Sequence, residues 1–280
     1  MSRDPRLTPA RPDLAAAHLK GTVEAARYVA GRPVHIRVGL ADLHREPSNS
    51  GRLDTQALCG EDLMLYEEHD GWAWVQLAAD DYVGYLAADA LAQGPARPTH
   101  HVCVNRTFIY PAADIKAPIR SALPLHAAVK VEAVEGAFAE LAEGGFMFEP
   151  HLRALEEKAR DFMPVAEGLL GSPYLWGGKS SLGIDCSGLV QIALAEAGIA
   201  APRDTDLQER ALGVALPIGL SDLRRGDLVF WKGHVGMIRD AQTLLHANAH
   251  HMSVASEPLA LVRDRVRQKG GGEITAIRRL

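Results

Sequence analysis

From residue 32 to about residue 93, apolar and polar side chains alternate in short runs, VHIRV, DLMLYEE, WAWVQL and YVGYL, separated by turn-forming residues. A two-residue period turns one face of each run toward a core and the other toward water, so the stretch reads as a small all-β module. Residues of about 97–150 repeat the texture. VKVEAVEGAFAELAEGGFMFEPHLRAL follows the same order as LMLYEEHDGWAWVQLAADDYVGYLAADAL, strand, turn, strand, turn, short strand and a segment ending AL, which marks an internal β-repeat. Ahead of both, DLAAAHLKGTVEAARYVAG at 13–31 is alanine-rich, with Asp13 at its start and Gly31 at its end, and predicts a short helix. HLRALEEKARDFMPVAEGLLG at 151–171 predicts another, with Pro164 opening its second part.

After residue 172 the pattern becomes that of one α+β domain. A helix over about 186–198 comes first. A loop through 222 follows, then strands DLVFWK, HVGMIRD and TLLHANA, and a final short strand EITAIRR. The expected division is an N-terminal extension and helix over 1–31, β-modules over 32–95 and 96–152, and the α+β domain over 153–280.

Composition removes whole classes of function. At 47% hydrophobic, 23% charged and a net charge of −5, the chain has no basic stripe, and its most arginine-rich stretch, 263–280, also carries Asp264 and Glu273. That stretch reads as a solvated terminus, and no nucleic-acid partner is expected. The first dozen residues carry charges and prolines rather than an apolar export segment, and no apolar run approaches the roughly 20 residues needed to cross a bilayer. A soluble cytoplasmic chain with no membrane partner is the expectation. Three cysteines, Cys59, Cys103 and Cys186, are a poor disulfide framework, and Cys59 and Cys103 read as inert.

Cys186 is different because of its setting. In YLWGGKSSLGIDCSG it lies between turn-forming glycines and the apolar-periodic helix SGLVQIALAEAGI. The first N–H groups of a helix lack intrahelical partners and its dipole is positive there, so the thiol pKa is expected to fall. A reactive cysteine also needs a general base and a third group that holds the base in one tautomer. His234 opens the strand HVGMI and His246 ends TLLH. Antiparallel strands joined through RDAQ would bring both imidazoles to one end of the sheet.

GSPYLWGGKSSLGIDCSGLVQ, PRDTDLQ at 202–208, RRGDLVFWKGHVGMI and LLHAN, in this order, closely resemble the NlpC-type cysteine peptidases, papain-like hydrolases of bacterial cell-wall peptides. The resemblance covers about 110 residues. It implies Cys186 as nucleophile, His234 as base and then acid, and His246 as the orienting third member. The oxyanion site would use the Cys186 N–H, with Tyr174 as the supporting side chain. Ser187, Trp176 and Thr205 match substrate-pocket positions, and Asp185 is both a helix cap and a candidate anchor for a substrate ammonium.

The β-repeats resemble bacterial SH3-like domains, through LHREPSNSGRLDTQALCGE followed by GWAWVQL and DYVGYL. Two such barrels and a short N-terminal helix ahead of a papain-like α+β domain resemble the murein-recycling γ-D-glutamyl-diamino-acid endopeptidases of the dipeptidyl-peptidase VI type. In those, the first SH3-like domain narrows the groove to short peptides with a free N-terminal L-alanine. On that side Glu46 and Tyr82 are the expected ammonium contacts, with Glu61 and Tyr85 as alternatives. Trp72 and Trp74 are expected one in the core and one at a domain interface rather than on a sugar. The resemblance implies a small murein peptide as the partner and no cofactor. No metal is expected, because neither His246, His250 and His251 nor His100, His101 and Cys103 has a four-ligand spacing. An amidase or acyltransferase of the same fold, and a wall-binding module, remain open alternatives.

Overall fold

The computed structural model describes residues 3–219 and 222–280. The chain divides into two compact units, the first ending at Glu157 and the second beginning at Lys158.

In the first unit the predicted helix over 13–31 is absent. Leu14–Ala16 is a strand in parallel pairing with Arg27–Val29, and only a single 3-10 turn, Ala17–Leu19, lies between them. Leu14, Ala15 and Ala16 are all completely buried. A surface helix buries one stripe and would expose one of three consecutive residues, so burial here overrides alanine's helix propensity.

The first β-module is a seven-stranded antiparallel sheet in the order Leu53–Leu58, Leu40–His44, Val83–Ala87, Trp72–Leu77, Asp62–His69, Arg32–Ile36, Leu91–Gln93. Its core takes every second residue of the runs, including Val34, Ile36, Leu63, Leu65, Ala73, Val75 and Leu77. The alternation in WAWVQL therefore sends Trp72 and Trp74 to the same face, away from that core, and the expectation of one inside and one outside is corrected. Trp72 meets the His44 ring at 5.7 Å, and Trp74 lies under the Arg11 guanidinium at 4.3 Å. The second β-module has its own core around Val102, Leu123, Val129, Leu141, Met147 and Leu152. Leu152 explains why no helix starts at 151: Leu152–Ala154 is a strand paired with His100–Val102, which carries Leu152 into that core. The helix α1 is confined to Met163–Gly168, with Pro164 in its first turn.

The second unit is a six-stranded antiparallel sheet in the order Val214–Leu216, Ala276–Arg279, Leu228–Trp231, His234–Ile238, Thr243–Asn248, Ser253–Pro258. The helix α2, Cys186–Glu196, packs on the strands that carry His234 and His246. The loop expected through 222 contains α3, Thr205–Ala211, and an edge strand. The C-terminal stretch is not a solvated tail. Leu259 and Val262 bury one side of α4, Leu259–Gln268, with Val266 packed beside them, and Ala276–Arg279 lies inside the sheet with Ile277 fully buried. Arg279 also holds the buried Asp227 carboxylate at 2.6 Å. No helix among the described residues is long and apolar enough to cross a membrane.

Candidate active site

α2 begins at Cys186 because Asp185 caps it. Asp185 is extended (φ −98°, ψ 179°), and its Oδ1 accepts the Gly188 N–H at 2.7 Å. Its Oδ2 accepts the Gly177 N–H at 2.9 Å, tying the preceding loop to the helix start. The approach is close enough to require glycine: a Cβ on Gly188 would stand 2.4 Å from the Gly178 carbonyl oxygen. Arg203, only 1% exposed, completes the bracket with a bidentate pair to Asp185 at 2.9 and 2.7 Å, and it donates to Ser187 Oγ at 2.8 Å. The Gln208 amide donates to the Ser187 and Pro202 carbonyls at 2.9 and 2.8 Å. PRDTDLQ is thus the brace of the cysteine loop.

The Cys186 sulfur is reached by the backbone N–H groups of Ser187 and Val235, the latter adjoining His234. Tyr174 is close enough for its hydroxyl to sense the charges of Cys186 and Asp185. Across the sheet, His234 Nε2 and His246 Nδ1 are 2.8 Å apart, and His246 Nε2 lies 2.9 Å from Glu257 Oε1. His246 is 1% exposed, and the His234 ring leans on Trp231 at 5.8 Å.

The electrostatics correct one expectation. Burial first, and then the Asp185 charge, push the Cys186 thiol up to about 12, so the helix terminus does not lower it. Burial, and then His246, push His234 down to about 3. Burial also lowers His246, with Glu257 opposing. Burial raises the Tyr174 hydroxyl, with Cys186 and Asp185 adding to it, which keeps a proton available for donation. A neutral thiol at the start of α2 therefore lies against the strand that carries a neutral imidazole, with the Val235 N–H joining the two elements.

The sequence-derived site residues divide into two groups. Cys186, His234, His246, Tyr174, Asp185 and Ser187 gather around the start of α2, Thr205 opens α3, and Trp176 stands 53% exposed on the glycine loop. Glu46 and Tyr82 belong to the first unit. Glu46 is exposed, but Tyr82 is 2% exposed in the β-module core, so it is not available to an ammonium. Tyr85 is half-buried, and its hydroxyl accepts from Arg11 at 2.6 Å. Two buried-charge partners went unread: Arg203 on Asp185, and Glu257 on His246. The signal for Glu257 was present in the alternation of SVASEP, which pairs with TLLHAN.

The family model described as bacterial dipeptidyl-peptidase SH3 domain matches residues 43–91, and that of the NlpC/P60 family matches residues 171–269. The γ-D-glutamyl-L-lysine dipeptidyl-peptidase of Bacillus subtilis is 28% identical over 221 residues, covering 70% of this chain and 72% of that protein. Dipeptidyl-peptidase 6 of Lysinibacillus sphaericus is 27% identical over 226 residues, covering 79% and 80%. The fold is similar to the crystal structure of an NlpC/P60 family protein from Bacillus cereus, with a TM-score of 0.73 at 20% identity over 88% of this chain and 99% of that one. A bacterial dipeptidyl-peptidase SH3 domain thus lies ahead of an NlpC/P60 domain built on a helix-capped cysteine, and the chain is a cysteine peptidase.

Proposed function

We propose that this peptidase hydrolyses the bond between γ-D-glutamate and the diamino acid of free murein peptides, releasing L-Ala-γ-D-Glu for peptidoglycan recycling in the cytoplasm. The carrying observation is the capped helix start at Cys186, packed on the strand of His234, whose Nε2 meets His246 Nδ1 at 2.8 Å. The names of the full-length relatives, γ-D-glutamyl-L-lysine dipeptidyl-peptidase and dipeptidyl-peptidase 6, support this choice of bond.

In this reading Cys186 attacks the γ-carbonyl as His234 takes the thiol proton. The oxyanion is met by the Cys186 N–H and the Tyr174 hydroxyl, His234 returns the proton to the leaving amine, and water resolves the thioester. Ser187, Trp176 and Thr205 line the substrate side. A free N-terminal ammonium is the selected feature. Since the Asp185 charge is already paired with Arg203, reading that ammonium needs a further acid.

Cleavage of L-Ala-γ-D-Glu-diaminopimelate is compared with that of its N-acetylated form and of the lysine peptide. The free peptides are expected to be cut at least about 100-fold faster than the acetylated one, because acetylation removes the ammonium charge and adds bulk at that end. Equal rates on the free and acetylated peptides would overturn the free-amine selection, and an amidase or acyltransferase would leave the γ-glutamyl bond intact in all three.

A further inference from the structure

We propose that Glu257 is a positioning residue of this active site, setting the tautomer of both histidines so that His234 Nδ1 is left bare to take the Cys186 proton. The proposal rests on the reading of Cys186, His234 and His246 as the catalytic line. Ser253–Pro258 pairs antiparallel with Thr243–Asn248, with Ala255 opposite His246 and Glu257 opposite Leu244. Directly opposite residues share a face, so Glu257 reaches His246 diagonally across the pair, ending 2.9 Å from its Nε2.

The protonation logic runs one way along this line. A carboxylate only accepts hydrogen bonds, so His246 must carry its proton on Nε2. His246 Nδ1 is then a bare acceptor, and at 2.8 Å it requires a proton on His234 Nε2. A neutral imidazole has one N–H, so His234 Nδ1 is left without one. When the sulfur attacks, the S–H bond breaks and an N–H bond forms at His234 Nδ1. The imidazolium keeps donating its Nε2–H to His246, and no proton passes to Glu257. Without the carboxylate, His246 is free to take the other tautomer. Its Nδ1–H would then face His234 Nε2, drive the His234 proton onto Nδ1 and block the base.

Glu257 is itself held on every side by donors. From α4, Arg265 spans both oxygens, with Nη1 at 2.7 Å from Oε2 and Nη2 on Oε1. From the turn before its own strand, His251 Nε2 lies 3.2 Å from Oε1, with the His250 ring edge-on to His251 at 4.7 Å between centroids. His246 faces it from the neighbouring strand. Burial alone would raise the carboxyl, but His246 and Arg265 outweigh it and keep Glu257 ionised well below the usual carboxylate range. Orientation through a second partner of this kind is worth about 10- to 100-fold where it has been measured at metal-bound histidines.

The test uses the full chain with Glu257→Ala and Glu257→Gln, and has two readouts. The first is peptide hydrolysis, where Glu257→Ala is expected to lower kcat about 10- to 100-fold with KM within about twofold. Glu257→Gln is expected to recover part of the loss, since its amide oxygen still accepts from His246. The second is the pH dependence of iodoacetamide alkylation at Cys186, resolved by peptide mass spectrometry from Cys59 and Cys103. It needs no knowledge of the substrate, and the alanine variant is expected to be slower at neutral pH by a similar factor. A wild-type chain that leaves the peptide uncut, while the Glu257 variants change the alkylation profile, would remove the substrate and keep the positioning role. An alkylation profile identical to wild type in Glu257→Ala, or equal losses in both variants with only KM or the melting temperature altered, would overturn it.

Discussion

At Cys186 two effects of opposite sign meet. A helix terminus favours a thiolate by about 0.3–1 kcal/mol, rising to about 2 kcal/mol in partly buried geometry. Burial and the Asp185 carboxylate act against it, and the thiol rises to about 12. The helix start and its cap were legible in GIDCSG, but the depth of burial was not, because it depends on strands that follow some fifty residues later. His234, pushed down to about 3 by burial, remains a neutral base well below the usual histidine range. The acid limb of kcat/KM is therefore expected well below pH 6.5, and Cys186 alkylation should show no thiolate plateau between about pH 5 and 8. Stability follows with the same sign. Below pH 6.5 the unfolded chain protonates His234 while the folded chain resists, so stability falls as pH drops from about 6.5 toward about 3, and Glu257 adds to the loss once its unfolded carboxyl protonates. Melting temperatures across that range should fall less steeply in His234→Asn than in wild type. An unchanged slope would count against a neutral, buried His234.

Elements were legible where one face was half-buried and obscured where burial was two-sided or long-range. The runs VHIRV, DLMLYEE, WAWVQL and YVGYL each became strands because their alternation matches the core they line. The alanine-rich 13–31 did not become a helix, since alanine suits any tightly buried backbone and Leu14–Ala16 is buried on all sides. The histidines could be placed at one sheet end from strand order alone, whereas Arg203 and Glu257 act through partners 18 and 11 positions away that no local pattern joins. The C-terminal strand is the sharpest case. RDRVRQKGGGEITAIRRL reads as polar surface, yet Ala276–Arg279 pairs with strands on both sides and Arg279 closes on the buried Asp227. Ending the chain after Gly272 would expose the Leu228–Trp231 edge, remove Ile274 and Ile277 from the core and leave Asp227 without its Arg279 partner. The catalytic unit is expected to lose its cooperative melt, and a truncated chain with wild-type melting would contradict this placement.

For the whole molecule, the candidate catalytic residues fall in one of the two units. The second holds Cys186, both histidines, Glu257 and the Asp185–Arg203 brace within one sheet-and-helix framework. The first is a pair of β-modules with separate cores. The order of elements in the second unit, helix before sheet, was readable because the motifs DCSG, HVGM and LLHA fall at element starts and ends. The first unit's contribution was less readable, because surface acids and phenols there have no chemical company in sequence, and Tyr82 proved to be core. The central claim is that peptide hydrolysis runs through the Cys186 thiol. Release of L-Ala-γ-D-Glu from L-Ala-γ-D-Glu-diaminopimelate by Cys186→Ala, beside wild type at equal concentration and with circular dichroism to confirm the fold, tests it most directly. The account predicts a loss of at least about 10⁴-fold with the fold unchanged; release at the wild-type rate by the alanine variant would contradict it.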